Sequence, residues 1–242
     1  DRGSVGLLGD MAQRFGLAVA DTYPRDLNLR FDHPMHMGIA RQKIYDEADV
    51  VMFLECDVPW ISAHMNPRED SFVVQAGVDP LFARYPMRSH RSDLTMSGTP
   101  CAILSALSEA LASQADVIPS GRVDRVRGLA AVAQGANAET RALERAAAGP
   151  ITKAFISGAL GEALGEGAMV FNEYWAAPEH LGCSKPGSYF FLPPSGGLGW
   201  ALPAALGARH ASQRTAVALV GDGTYMFANP AACHHASAKH DL

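Results

Sequence analysis

Short apolar runs recur along this chain, and several are followed by a segment with the spacing of a helix. Residues 50–54 read VVMFL and residues 216–220 read AVALV. Runs that are apolar at successive positions predict strands buried on both faces, as in a parallel sheet. Parallel neighbours need crossover connections, so helices must cover the faces of such a sheet. We therefore predict an α/β fold with two Rossmann-like parallel-sheet domains.

The alternation divides the chain into two blocks and a connector. We assign residues 1–112 to a first domain, residues 113–149 to a partly helical linker and residues 150–242 to a second domain. The predicted strands are residues 17–20, 50–55, 71–77, 93–96, 168–172, 188–192 and 215–221. The first sheet is expected to have residues 50–55 in its middle, because that run is apolar on both faces.

Helix starts are marked by residues whose side chains can accept a hydrogen bond from a first-turn amide. N-caps are predicted at Ser4, Thr99, Thr152 and Asn229, and further helices at residues 39–48 and 200–210. The first block opens with a helix, and the last predicted helix has no later strand to which it could return. We therefore expect a first strand before residue 1 and another after residue 242.

Composition excludes several classes of protein. The formal net charge is -5 and no dense Lys/Arg block occurs, so a nucleic-acid partner is not expected. No apolar run approaches the ~20 residues of a membrane helix. The four cysteines (Cys56, Cys101, Cys183 and Cys233) form no CxxC pair, so neither disulfides nor a zinc site is expected. The sequence predicts a soluble cytoplasmic protein without a membrane or nucleic-acid partner.

The run 215–221 ends on Gly-Asp-Gly-Thr, which places an acid at the tip of a strand. Ligands of open α/β sheets bind at the carboxyl ends of the strands. The Asp222 carboxylate could hold Mg²⁺, while the amides of Gly223 and Thr224 and the Thr224 hydroxyl could face phosphate oxygens. Asp and Gly also dominate plain turns, so a tight turn without a ligand is an equal alternative for this motif taken alone.

A second glycine-rich segment, SGGLGWALPAALGA at residues 195–208, enters a predicted helix. It fails the dinucleotide fingerprint, because Leu202 stands where the third glycine or alanine is needed. The phosphate-loop pattern GxxxxGK[ST] does not occur. The nearest basic residues in sequence, Arg214 and Lys239, do not suggest a cationic clamp. A metal with backbone amides is therefore the more natural way to hold a diphosphate here.

Taken together, these motifs resemble a known family. Gly-Asp-Gly-Thr, the preceding GGLGWALPAALGA and the Asn172-Glu173-Tyr174 loop resemble the diphosphate-binding domain of thiamine-diphosphate enzymes, in particular the acetolactate synthase and benzoylformate decarboxylase group. DEADVVMFLECDVPWI, from residue 46, resembles the central domain of the same family. The resemblance covers nearly the whole chain and implies a thiamine-diphosphate-binding fold, incomplete at its C-terminal end.

The resemblance implies roles for individual residues. Asp222 would bind Mg²⁺, and Gly223 and Thr224 would contact the diphosphate. Gly196 would offer its carbonyl to the aminopyrimidine, and Leu198 would wedge the cofactor into its bent shape. Tyr174, Trp175 and Ala176 would line the diphosphate and substrate side.

The resemblance also implies groups outside residues 1–242. These are a second metal ligand, an Asn about 25–30 residues after Asp222, and the cofactor-activating Glu of an N-terminal pyrimidine-binding domain. We therefore predict no catalytic residue in this chain, half an active site, and no activity of these residues alone. The family's sites lie between subunits, which implies a homodimer or homotetramer. FAD occurs in some members, but no motif for it is present here.

The predicted activity is a thiamine-diphosphate- and Mg²⁺-dependent decarboxylation and carboligation of 2-oxo acids, acetolactate synthase-like. A benzoylformate decarboxylase-like activity and a non-catalytic nucleotide-binding α/β module are the alternatives. Other polar residues are assigned to structure: His33 and His36 to a loop, Cys56 and Asp57 to a strand end, and His234 and His235 to a helix surface.

Overall fold

The computed structural model describes residues 2–39, 41–85, 90–146, 150–174, 176–193 and 195–242. It divides into two compact units. The first comprises Asp1–Tyr23 and Asp32–Ala133, and the second comprises Pro24–Phe31 and Gln134–Leu242. The segment predicted as a linker contains a 3₁₀ turn (Ala115–Val117) and a long helix, α4 (Arg122–Ala146).

The first unit contains a parallel sheet of β1 (Val50–Leu54), β2 (Phe72–Gly77) and β3 (Leu94–Ser97), in the order β1-β2-β3. The prediction that residues 50–55 form the middle strand is wrong. Among the described residues β1 pairs with β2 alone, and Val50 is 59% exposed. The central strand was less apparent because it buries a polar residue, Gln75, whose amide nitrogen donates to the Arg91 carbonyl.

Three further helices belong to this unit, namely α1 (Arg2–Phe15), α2 (Gln42–Glu47) and α3 (Pro100–Ser113). Met11 and Phe15 of α1 pack with Leu104 of α3 in one core cluster. The Thr99 cap is confirmed, because its hydroxyl accepts from the Ala102 amide at 3.3 Å. The Ser4 cap is wrong, since α1 begins two residues earlier.

Two other predictions in the first unit hold only in part. Residues 17–20 do not form a strand, and what remains is an isolated bridge between Val19 and His36. The helix predicted over residues 39–48 is limited to α2. In both segments the local pattern overstated the extent of regular structure.

The second unit alternates helices and strands in the predicted order. Its elements are α5 (Lys153–Leu164), β4 (Met169–Asn172), a 3₁₀ turn (Pro178–His180), β5 (Tyr189–Phe191), α6 (Ala201–Ser212), β6 (Ala216–Leu219), α7 (Asp222–Phe227) and α8 (Pro230–His240). The strands are parallel, in the order β5-β4-β6. Every residue of the central strand β4 is buried.

The two faces of β4 belong to two core clusters. Val170 packs with Leu27, Leu181 and Tyr189 on one face. On the other face Met169 and Phe171 pack with Ala201 and Ala205 of α6, and the Phe171 ring stacks on Phe190 at 4.9 Å. An apolar run buried on both faces is what a central parallel strand requires. The prediction of an α/β fold with parallel sheets is confirmed.

Helix starts in the second unit follow the predicted caps with one difference. The Thr152 hydroxyl accepts from the Phe155 amide at 3.1 Å, which confirms that cap. Asn229 is the N-cap of α8 by position, but it has a positive φ of 52° and its side chain makes no capping hydrogen bond. No helix among the described residues is long and apolar enough to cross a membrane.

Candidate functional site

The carboxyl ends of β4 and β6 lie side by side in the second unit. Asn172 is the register partner of Leu219, and the Glu173 amide donates to the Leu219 carbonyl at 2.7 Å. The loops that follow the two strands therefore begin at the same edge of the sheet. A Cβ added at Gly221 would lie 3.5 Å from the Tyr174 ring, so the two loops are in contact.

The Gly-Asp-Gly-Thr motif is the start of a helix rather than an isolated turn. Gly221 is the N-cap of α7, and Asp222 is its first residue. The first hydrogen bond of the helix runs from the Tyr225 amide to the Gly221 carbonyl at 2.8 Å. The amides of Gly223 and Thr224 therefore have no acceptor within the helix. Asp222 and Gly223 are exposed and Thr224 is half-buried, so a ligand could reach all three.

The glycine-rich loop before α6 lies against the far end of the same helix. The Gly196 amide donates to the Pro193 carbonyl at 2.9 Å, and Gly196 has a positive φ of 63°. Leu198 is 55% exposed. Gly199 has a φ of +88°, and a Cβ there would lie 2.7 Å from the Ala228 nitrogen. This close approach requires glycine, and it fixes the loop against the end of α7.

Asn172 shapes the loop that carries Tyr174 and Ala176. Its side-chain oxygen accepts from the Tyr174 amide at 3.2 Å and from the Ala176 amide at 3.1 Å. Its amide nitrogen donates to the Ala176 carbonyl and to the Tyr189 hydroxyl, each at 3.0 Å. Ala176 is thereby buried, whereas Tyr174 is 45% exposed. Trp175 lies outside the described residues.

Glu173 is an important residue that the sequence analysis did not select. Its side chain is 5% exposed, and its carboxylate accepts two backbone amides. Oε1 accepts from Gly199 at 2.6 Å, and Oε2 accepts from Ala201 at 2.9 Å. A carboxylate immediately after a buried strand was the available signal. Its partners, 26 and 28 residues later in the chain, could not be deduced from local patterns.

Lys153 is a second residue that the sequence analysis missed. Its ammonium lies 5.7 Å from the centre of the Tyr174 ring, and this ring contacts Gly221. Arg214, by contrast, donates to the backbone carbonyls of Gly167, Ala168 and Gly187. Arg214 therefore supports the sheet.

The side chains at the carboxyl ends of β4 and β6 could bind a metal ion only if a ligand supplied further oxygen atoms. Among the described residues, no group of three or more His, Cys, Asp and Glu side chains could hold a metal ion. Asp222 offers one exposed carboxylate. Mg²⁺ takes one or two protein carboxylates together with phosphates and water. Asp222 therefore fits Mg²⁺ that is shared with a diphosphate.

Two of the histidines set aside in the sequence analysis, His36 and His234, have structural partners. His36 is buried, its Nε2 lies 3.3 Å from Asp21 Oδ2, and its Nδ1 accepts from the Gly38 amide at 3.0 Å. Because Nδ1 accepts this hydrogen bond it carries no proton, so the proton of the ring lies on Nε2. His234 Nε2 lies 2.6 Å from the Tyr225 hydroxyl and so links α8 to α7. All four cysteines are free thiols.

The chain was compared with curated proteins, solved structures and protein families. No curated protein matches the chain. An X-ray structure from Mycobacterium smegmatis, described as that of "a putative thiamin diphosphate-dependent enzyme", has a TM-score of 0.66 at 20% identity, covering 100% of this chain and 46% of that one. Benzoylformate decarboxylase from Polynucleobacter necessarius has a TM-score of 0.59 at 18% identity, covering 93% of this chain and 42% of that one.

These likenesses show a shared fold, and the chain spans less than half the length of either structure. Residues 171–242 match the sequence model of a family described as "Thiamine pyrophosphate enzyme, C-terminal TPP binding domain". The match contains Tyr174, the glycine-rich loop and the whole of α7. The sequence of this part of the chain is therefore similar to the cofactor-binding domain of thiamine pyrophosphate enzymes, as the resemblance of its motifs predicted.

Proposed function

We propose that this chain supplies the diphosphate- and Mg²⁺-binding half of an enzyme that uses thiamine diphosphate to decarboxylate 2-oxo acids. The reaction would continue with carboligation, as in acetolactate synthases, which convert pyruvate to acetolactate. Residues 1–112 would be a central domain and residues 150–242 the cofactor-binding domain. The active enzyme would be a homodimer or homotetramer.

One observation supports this proposal above the others. The family match falls on the segment in which the structure brings together Tyr174, Gly221 and the start of α7. A turn without a ligand would explain Gly-Asp-Gly. It would not explain why a half-exposed aromatic ring and a glycine-rich loop adjoin the same short helix.

Each site residue has a proposed task. Asp222 would bind Mg²⁺, and the amides of Gly223 and Thr224 would donate to the diphosphate. The Gly196 carbonyl would accept from the aminopyrimidine, and Leu198 would support the cofactor. Tyr174 and Ala176 would line the diphosphate and substrate side. When bound, the cofactor supplies an electron sink for the carbanion left by decarboxylation.

A benzoylformate decarboxylase-like activity is the second candidate. It is favoured by the fold shared with the benzoylformate decarboxylase of Polynucleobacter necessarius. In that case the product would be an aldehyde, and no second carbonyl compound would be needed. Product analysis of the protein encoded by the complete gene, with pyruvate or benzoylformate, distinguishes the two. Acetolactate supports the first proposal and benzaldehyde supports the second.

Cofactor binding is tested by calorimetry with thiamine diphosphate and Mg²⁺. Asp222→Asn keeps the shape of the side chain but removes the charge, so we expect affinity at least about tenfold weaker. Asp241→Asn is the matched control, because Asp241 is an exposed acid just after α8. Binding that is indifferent to Asp222→Asn would contradict the metal assignment. No binding by the unsubstituted protein would favour a non-catalytic module.

A further inference from the structure

The start of α6 does not have a capping side chain of its own. Its N-cap is Trp200, which makes no side-chain capping hydrogen bond. The first amides of a helix have no acceptor within the helix and need one from elsewhere. Here the acceptor comes from the end of β4, because Glu173 Oε2 lies 2.9 Å from the nitrogen of Ala201, the first residue of α6.

The other oxygen of the same carboxylate binds the glycine-rich loop. Glu173 Oε1 accepts from the Gly199 amide at 2.6 Å, and hydrogen bonds to a carboxylate are stronger than those between neutral groups. The side chain is 5% exposed, so water competes little for either bond. Both oxygens of a buried carboxylate are thus used to hold backbone. A negative charge is also favourable at the N-terminus of a helix.

Gly199 is confined from two directions. Glu173 holds its amide, while its Cα lies so close to the peptide between Phe227 and Ala228 that a Cβ would be 2.7 Å away. That peptide is the end of α7, the helix that begins at Asp222. The Glu173 carboxylate therefore determines where the loop containing Gly196 and Leu198 lies relative to the helix of Asp222.

We propose that Glu173 is a positioning residue for the cofactor site. Its carboxylate holds the loop of residues 196–199 and the start of α6 in place against the helix that begins at Asp222, where thiamine diphosphate would bind. Glu173 acts through backbone amides. The inference rests on the proposed function, because it names what sets the geometry of that site.

Glu173→Gln is the sharpest test, because it preserves shape. Glutamine has one acceptor oxygen and an NH₂ group, so either the Gly199 or the Ala201 amide must lose its acceptor. In the protein encoded by the complete gene, we expect thiamine diphosphate with Mg²⁺ to bind about tenfold more weakly. Hydrogen exchange of the peptide covering residues 195–201 should also accelerate about tenfold.

Glu166→Gln is the matched control, because Glu166 is an exposed acid of the same unit paired with Lys185. It should change neither measurement. Glu173→Asp keeps the charge but is one methylene shorter, so it should retain part of the affinity. It also provides the test if Glu173→Gln does not fold.

The outcomes separate the inference from the proposed function. Faster exchange with unchanged affinity would mean that Glu173 only stabilises the fold, and the positioning role would be rejected. Unchanged exchange would reject the contacts themselves. If the unsubstituted protein binds no thiamine diphosphate, the proposed function fails, and the inference that rests on it fails with it.

Discussion

In each unit a glutamate directly follows a strand, but the two glutamates act differently. β1 and the residue after it read VVMFLE, and β4 with its next residue reads MVFNE. In the first unit Glu55 is exposed, has a φ of +50°, and accepts the Val78 amide at 2.6 Å. In the second unit Glu173 is buried and holds a distant loop.

The difference lies in what each carboxylate holds in place. Val78 directly follows β2, the neighbour of β1, so Glu55 ties two adjacent strand ends together. Glu173 instead reaches past the strand ends to the loop between β5 and α6, leaving Asp222 exposed beside Tyr174. A glutamate after a strand thus closes the edge of one sheet and organises a candidate site at the other.

The largest expected effect comes from removing the two carboxylates in turn. Glu173→Ala leaves two buried amides without acceptors, and each unpaired amide should lower the free energy of unfolding by about 1–3 kcal/mol. Glu55→Ala affects an exposed bond and should change stability by about 0.5 kcal/mol or less. Hydrogen exchange of core amides reports the two units separately. Equal losses in both units would contradict the contrast between a buried and an exposed carboxylate.

A second pair compares the glycines that these glutamates approach. Gly199 and Gly77 both have positive φ, +88° and +151°. A Cβ at Gly199 would meet the backbone of α7 at 2.7 Å, whereas one at Gly77 would meet the Glu55 carboxylate at 2.8 Å. Backbone cannot yield as a flexible side chain can, so Gly199→Ala should cost about 2–3 kcal/mol and Gly77→Ala about 1 kcal/mol.

The same exchange experiment measures this second pair. The order of the two losses is the critical result, because both substitutions introduce strain at a positive φ. A larger loss for Gly77→Ala would mean that the Glu55 side chain is fixed more firmly than its exposure indicates. The two sheet edges would then be more alike than their hydrogen bonds suggest.

Local patterns predicted the fold but not the contacts that define the site. Strand 168–172 and the Thr99 and Thr152 caps were predictable, because periodicity and capping involve neighbours in sequence. The position of β1 at the edge of its sheet was not predictable. The apolar Val50 of β1 is exposed, whereas the polar Gln75 of the central strand is buried, and both are the reverse of what polarity predicts. The partners of Glu173 were not predictable either, since they depend on the packing of β4 against α6.

A buried group in each unit should also make stability depend on pH, in opposite directions in the two units. In the first unit burial raises the pKa of Tyr45 from 10.0 to about 12, and its hydroxyl donates to the Pro59 carbonyl at 2.7 Å. In the second unit burial lowers the pKa of His180. Folding therefore favours neutral tyrosine in one unit and neutral histidine in the other.

The smallest predicted effects follow from these signs. Because the folded pKa of Tyr45 is raised, its contribution to the free energy of unfolding is complete below pH 10 and is lost by about 1.4 kcal/mol per pH unit between pH 10 and 12. Tyr45→Phe leaves the Pro59 carbonyl without its donor, so it should lower the free energy of unfolding by about 1 kcal/mol at neutral pH, and this loss should shrink above pH 10.

Because the folded pKa of His180 is lowered, the native protein should lose stability relative to His180→Gln as pH falls below about 6.5. Exchange-derived stabilities from pH 5 to 11 check both, and a pH-independent difference for either variant would show that its parent residue titrates alike in the folded and unfolded chains.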